Sequence, residues 1–95
     1  MIVEITTFRL APDTDEDAFR DADKAVQTEL SANHPGLIRR TTARGPDDWV
    51  VVTLWGTAAD AQASDKRWGE PALDAFRSMI DPGSLHVSRY EDLGG

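Results

Sequence analysis

The residues of this 95-residue chain whose types could do chemistry are two histidines, three tryptophans and the adjacent pair Arg39-Arg40. A histidine can gain or lose a proton near neutrality. His34 precedes Pro35-Gly36, where a helix must end, and a cationic imidazole there complements the helix dipole. That structural role outweighs one as a general base. His86 opens the last apolar segment and is a catalytic candidate, although no acid or base partner stands near it. Arg39 and Arg40 are neighbours on a strand-like run, so their side chains leave on opposite faces. One must face a helix-covered interior, where a guanidinium could hold a carboxylate, phenolate or enolate oxygen. We assign Arg40 to that side. The competing role is an ion pair with one of the seventeen acidic residues. Trp68 lies beside the helix break Gly69-Glu70-Pro71, and Trp49 and Trp55 read as packing residues. The expected ligand-binding set is Thr6, Arg40, Trp68 and His86, with Arg40 and His86 the candidates for catalysis.

Other chemistries find no residues. There is no cysteine, which excludes disulfides, thiolate metal ligands and thiol nucleophiles. No His, Asp or Glu cluster has metal-ligand spacing, and the acidic run Asp13–Asp17 is helix-start composition. Gly45, Gly56 and Gly69 are isolated, so no phosphate loop is present. No metal and no cofactor are expected. A net charge of −7 and a pI near 4.6 oppose binding to phosphate backbones. No apolar run is long enough to span a bilayer. Met1-Ile2-Val3-Glu4 lacks the positive flank of a signal peptide, which places the expected setting in the cytoplasm.

The elements that must position these residues follow from periodicity. Ile2 to Leu10 alternates as a strand and ends at Ala11-Pro12-Asp13. Asp13 is the expected helix cap, with Glu16 three residues on. Phe19, Ala22, Val26 and Leu30 then repeat at helical spacing, up to Asn33-His34. Leu37–Ala43 and Trp49–Trp55 read as an antiparallel hairpin around the turn Gly45-Pro46-Asp47-Asp48. Thr57, with Asp60 in a capping-box position, starts an alanine-rich second helix. Gly69-Glu70-Pro71 interrupts it, and Leu73, Phe76 and Ile80 give the second piece its apolar face. Asp81-Pro82-Gly83 turns into a last strand, Leu85 to Leu93. The order β-α-β-β-α-β predicts one α+β domain spanning 1–95. It is a ferredoxin-like four-stranded antiparallel sheet with two helices on one face.

The strand Trp49–Trp55 carries Val50, Val52 and Leu54 on one side and Trp49, Val51 and Trp55 on the other. Both sides call for burial. Two helices cover one face of a small sheet, so the second face calls for a second copy of the chain. A domain this short buries only about 60–65% of its unfolded surface, and without cysteines or metal oligomerisation is the remaining source of stability.

At this point the chain resembles the dimeric α/β-barrel group, and within it the antibiotic-biosynthesis-monooxygenase-like proteins. The segments that carry the resemblance are Ile2–Leu10, Pro35-Gly36-Leu37, Val51-Val52-Thr53-Leu54-Trp55 before the alanine-rich helix, and Val87-Ser88-Arg89-Tyr90. The resemblance implies two sheets paired face to face as a barrel, with a pocket between each sheet and its own helices. It also implies a small-molecule-binding homodimer, and a cofactor-independent monooxygenase acting on an apolar aromatic or polyketide-like compound if it is an enzyme. The alternative is a non-catalytic ligand-binding or sensor module of the same fold. The haem-degrading branch of the group uses an Asn on the first strand and a Trp and a His on the second helix. Here those positions fall at Thr6 or Thr7, Ser64 and Asp74, which argues against haem degradation.

Overall fold

A computed structural model describes residues 1–66 and 70–94. The hairpin that the turn signal Gly45–Asp48 predicts is present. Leu37–Arg44 forms β2 and Trp49–Trp55 forms β3, joined by a bond from the Gly45 N–H to the Asp48 carbonyl. Ile2–Phe8 forms β1 and His86–Glu91 forms β4. The four strands make one antiparallel sheet in the order β2-β3-β1-β4. The polar strand β2 is at one edge, as its composition predicts.

Among the described residues three α-helices follow from the capping and breaking residues: α1, Glu16–Asn33; α2, Ala58–Ser64; and α3, Pro71–Ser78, with a 3-10 turn at Pro82–Ser84 before β4. The expected second helix is thus two short helices, with Pro71 at the first turn of α3. Thr57 caps α2 by accepting from the Asp60 N–H and donating its hydroxyl to the Asp60 carboxylate. Gly36 is required for this arrangement. A Cβ there would overlap the Asp60 carboxyl group, so α2 can start against the beginning of β2 only if residue 36 has no side chain.

The expected boundaries shift at several places, and the last strand is His86–Glu91 and not Leu85–Leu93. The cap of α1 is Asp15, which accepts from the Asp17 N–H, not Asp13. Asp13 has φ 63° and sits in the Ala11–Thr14 turn, where Pro12 occupies the second position and the third needs a left-handed backbone. The first strand stops at Phe8 and not Leu10. Arg9 and Leu10 pair instead with Asp81 and Ile80 at the end of α3.

Register decides what faces the helices. Thr6 lies opposite Val51 and Val87, and Glu4 lies opposite Thr53 and Arg89. Arg40 also lies opposite Thr53, on the same face. The core on this side is aromatic: Phe19 stands 5.8 Å from Phe8, 4.8 Å from Trp49 and 5.2 Å from Phe76, ring centre to ring centre. The other face carries Val3, Ile5, Val50, Val52 and Leu54, all partly exposed, with Arg39, His86 and the exposed Tyr90 around them.

Candidate functional site

Alternation along four strands brings polar groups from distant parts of the chain to one place. Between the helix-facing side of the sheet and the helices lies a cavity of about 180 Å³. Its floor is Glu4 and Thr6 of β1, Arg40 of β2, Val51, Thr53 and Trp55 of β3, and Val87 and Arg89 of β4. Its roof is Val26 and Leu30 of α1, Ser64 and Asp65 at the end of α2, Leu73, Phe76 and Arg77 of α3, and Ile80. The space exists because α2 has little bulk. Its alanines bury only Ala61, with Ser64 the other buried residue of that helix. Pockets for drug-sized ligands run to about 300–1,000 Å³. An apolar cavity of about 150 Å³ holds a benzene. The size suits a compact one- or two-ring molecule.

Of the neighbours Arg39 and Arg40, it is Arg40 that reaches the cavity. It also makes the ion pair that competes with a ligand role. Its guanidinium lies 2.8 Å from the Asp23 carboxylate of α1, and its side chain is 5% exposed. It stacks 5.6 Å over the Phe76 ring. Thr42 donates a second hydrogen bond to the same Asp23 oxygen. Removal of Asp23 would strand a buried cation. Asp23→Ala is therefore expected to cost about 2–4 kcal/mol, somewhat below the loss of a fully buried pair because Asp23 keeps some contact with water. Urea unfolding measures it, and a cost under about 1 kcal/mol would mean the pair is not what holds Arg40.

Sequence reasoning missed Arg89 as a site residue, together with Glu4 and Asp65. Arg89 donates from Nε to Glu4 at 2.8 Å, from both terminal nitrogens to Asp65 at 2.9 and 2.6 Å, and to the Ala61 carbonyl at 3.2 Å. The Asp65 bonds, and then Glu4, raise the pKa of the guanidinium above its ordinary value, against the opposing effect of burial. The signal in the sequence was an arginine and a glutamate at helix-facing positions of two strands. Their pairing across 85 residues depends on β1 and β4 being neighbours.

Thr6 and Arg40 share the cavity. His86 does not. It lies opposite Thr7, on the other sheet face, where its ring meets the Ser88 hydroxyl at 3.2 Å. The pleat of β4 thus keeps His86 out of the cavity. Trp68 lies outside the described residues. His34 ends α1, as expected, with its backbone N–H on the Leu30 carbonyl. It also has a partner that the sequence hides: Nε2 is 3.1 Å from Glu70 Oε1, and the ring meets Trp55 edge-on at 6.2 Å. Among the described residues no cluster of His, Asp and Glu could hold a metal ion, and no helix is long and apolar enough to cross a membrane.

The fold as a whole superposes on proteins of known structure. SnoaB, a cofactor-independent oxygenase from Streptomyces nogalater, superposes as its N63A mutant with a TM-score of 0.76. The match covers 99% of this chain and 94% of that one at 15% identity. The chain has the antibiotic-biosynthesis-monooxygenase-like fold. A candidate antibiotic biosynthesis monooxygenase from Nitrosomonas europaea matches this fold at TM-score 0.72 and 23% identity, over 98% of this chain and 99% of that one. A dimeric protein of unknown function and ferredoxin-like fold from Bacteroides fragilis matches at TM-score 0.70 and 12% identity, over 96% and 95%. No family model and no curated protein matches the sequence.

Proposed function

We propose that this protein is a homodimeric small-molecule-binding protein that acts as a cofactor-independent monooxygenase on a compact, apolar aromatic compound. The observation that carries the reading is the cavity under the helices. It is apolar over most of its roof and has Thr6 and Arg40 on its floor. SnoaB, with the same fold, is a cofactor-independent oxygenase. In the proposed reaction the cavity takes an electron-rich phenolate or enolate out of water. The Thr6 hydroxyl and the Arg40 guanidinium hold its oxygen, and dioxygen attacks the activated ring carbon. For a ring methylene the balance is simple. One oxygen atom becomes the carbonyl oxygen and the other leaves as water with the two methylene hydrogens, and the two broken C–H bonds supply all four electrons that dioxygen takes up. The protein contributes shape and electrostatics, and the substrate contributes its own reactivity.

One observation favours a second reading, a binder without turnover. The charged groups on the floor already have partners, Arg40 with Asp23 and Arg89 with Glu4, and among the described residues no acid–base pair stands free beside Thr6. An oxygen electrode separates the two. With a two-ring phenol that binds, steady oxygen uptake that falls at least about tenfold in the near-isosteric Thr6→Val variant supports oxygenation. Binding without oxygen uptake leaves the sensor or binder. The second copy of the chain is proposed for the apolar sheet face described above, and the dimeric Bacteroides fragilis neighbour supports that assembly.

A further inference from the structure

The cavity holds one group that neither reading uses. Arg89 stands in its wall with a guanidinium shared by two carboxylates of unequal standing. Glu4 makes a single contact, to Nε, from a strand position on the floor, and its side chain is 15% exposed. Asp65 covers the other edge, one oxygen on each terminal nitrogen, and is 58% exposed. Asp65 stands just after α2, a helix that buries only two small residues. Its carboxylate is already more than half exposed, so water reaches it where it stands. A guanidinium takes carboxylates by this two-pronged edge, with parallel N–H···O bonds.

The geometry points to Asp65 as a placeholder for a ligand carboxylate, which displaces it from the two-pronged edge of Arg89 while the rest of an aromatic acid fills the cavity. The inference rests on the proposed use of the cavity as a ligand site and names the ligand class, a one- or two-ring aromatic carboxylate. Three features support the exchange. The incoming group has the same chemistry as the one that leaves, so Arg89 keeps its charge balance and its bonds to Glu4 and the Ala61 carbonyl. The departing carboxylate goes to water, so no buried charge is left unpaired. Leu85 and Val87 line the same cavity and are 43% and 50% exposed, so the β4 side offers an apolar lip for the ring. Asp65 then also acts as a filter. A neutral ring gains nothing at Arg89, and an acid must outcompete an internal carboxylate.

The test compares 2-naphthoate with its uncharged amide, 2-naphthamide, by calorimetric titration of the full chain. Asp65→Asn and Asp65→Ala remove the competitor. Both are expected to bind 2-naphthoate about fivefold tighter or more, the strength of one exposed ion pair. Affinity for 2-naphthamide should not change. Arg89→Gln should lose any preference for the acid over the amide. Circular dichroism confirms that each variant is folded, and the two Asp65 substitutions serve as independent checks. If 2-naphthamide binds and neither Asp65 variant gains affinity for 2-naphthoate, the exchange is overturned and the cavity reading stands. If no protein in the set binds either compound, both are overturned.

Discussion

Phe19→Ala is expected to bring the protein close to unfolding. Phe19 is fully buried, and its ring touches three others contributed by β1, β3 and α3. It joins the long helix to the sheet and to the helix that roofs the cavity. Truncating a buried phenylalanine costs about 3–5 kcal/mol, because the lost transfer energy adds to the cavity left behind. A domain of this length has on the order of 5–14 kcal/mol in total. The position has little room to collapse, since all three neighbouring rings are held by other elements. With a urea slope of about 2 kcal/mol per molar, the unfolding midpoint should fall by about 2 M. A fall of less than about 0.5 M would show that the aromatic cluster does not bear the packing assigned to it.

Val52→Asp is expected to turn a dimer into folded monomers. Val52 lies opposite Ile5 and Thr41, near the centre of the face that no helix covers. It is not part of the chain's buried cluster, so a carboxylate there faces water in a monomer. In a twofold-symmetric dimer the same substitution appears twice in one interface. Each copy would bury a charge with no partner, at a cost of several kcal/mol. Together they should weaken the dimer by more than about a thousandfold. Light scattering after gel filtration reads the mass, and circular dichroism reads the fold. A wild-type chain that runs as a monomer at high concentration would remove the proposed assembly. So would a variant that stays dimeric at the wild-type concentration.

The legible part of the fold was the local part. Phe19, Val26 and Leu30 are the buried stripe of α1, as their spacing predicts. Thr57 caps α2, and Pro71 starts α3. Alternation put Arg39 and Arg40 on opposite faces of β2, and only the register of Arg40 with Thr53 placed Arg40 on the helix side. The cap of α1 was misplaced by two residues, since Asp13 and Asp15 are equally good caps in composition. Only the turn at Pro12, with its left-handed third residue, chooses between them. His86 could not be placed, because alternation sorts a strand's residues into two sets without saying which set faces the helices. Pairing Thr7 with His86 settled that.

Alternating and helical periods, caps and turn residues are set by neighbours within a few positions, so the chain wrote its element order, its sheet class and its two-faced third strand into local sequence. Long-range partners have no such trace. Glu4 meets Arg89, His34 meets Glu70, and Asp23 meets Arg40 only after the strands have taken the order β2-β3-β1-β4 and the helices have packed over one face. The cavity arises the same way. It is the volume that the small residues of α2 leave unfilled, and no residue shows an empty space until its neighbours are in place.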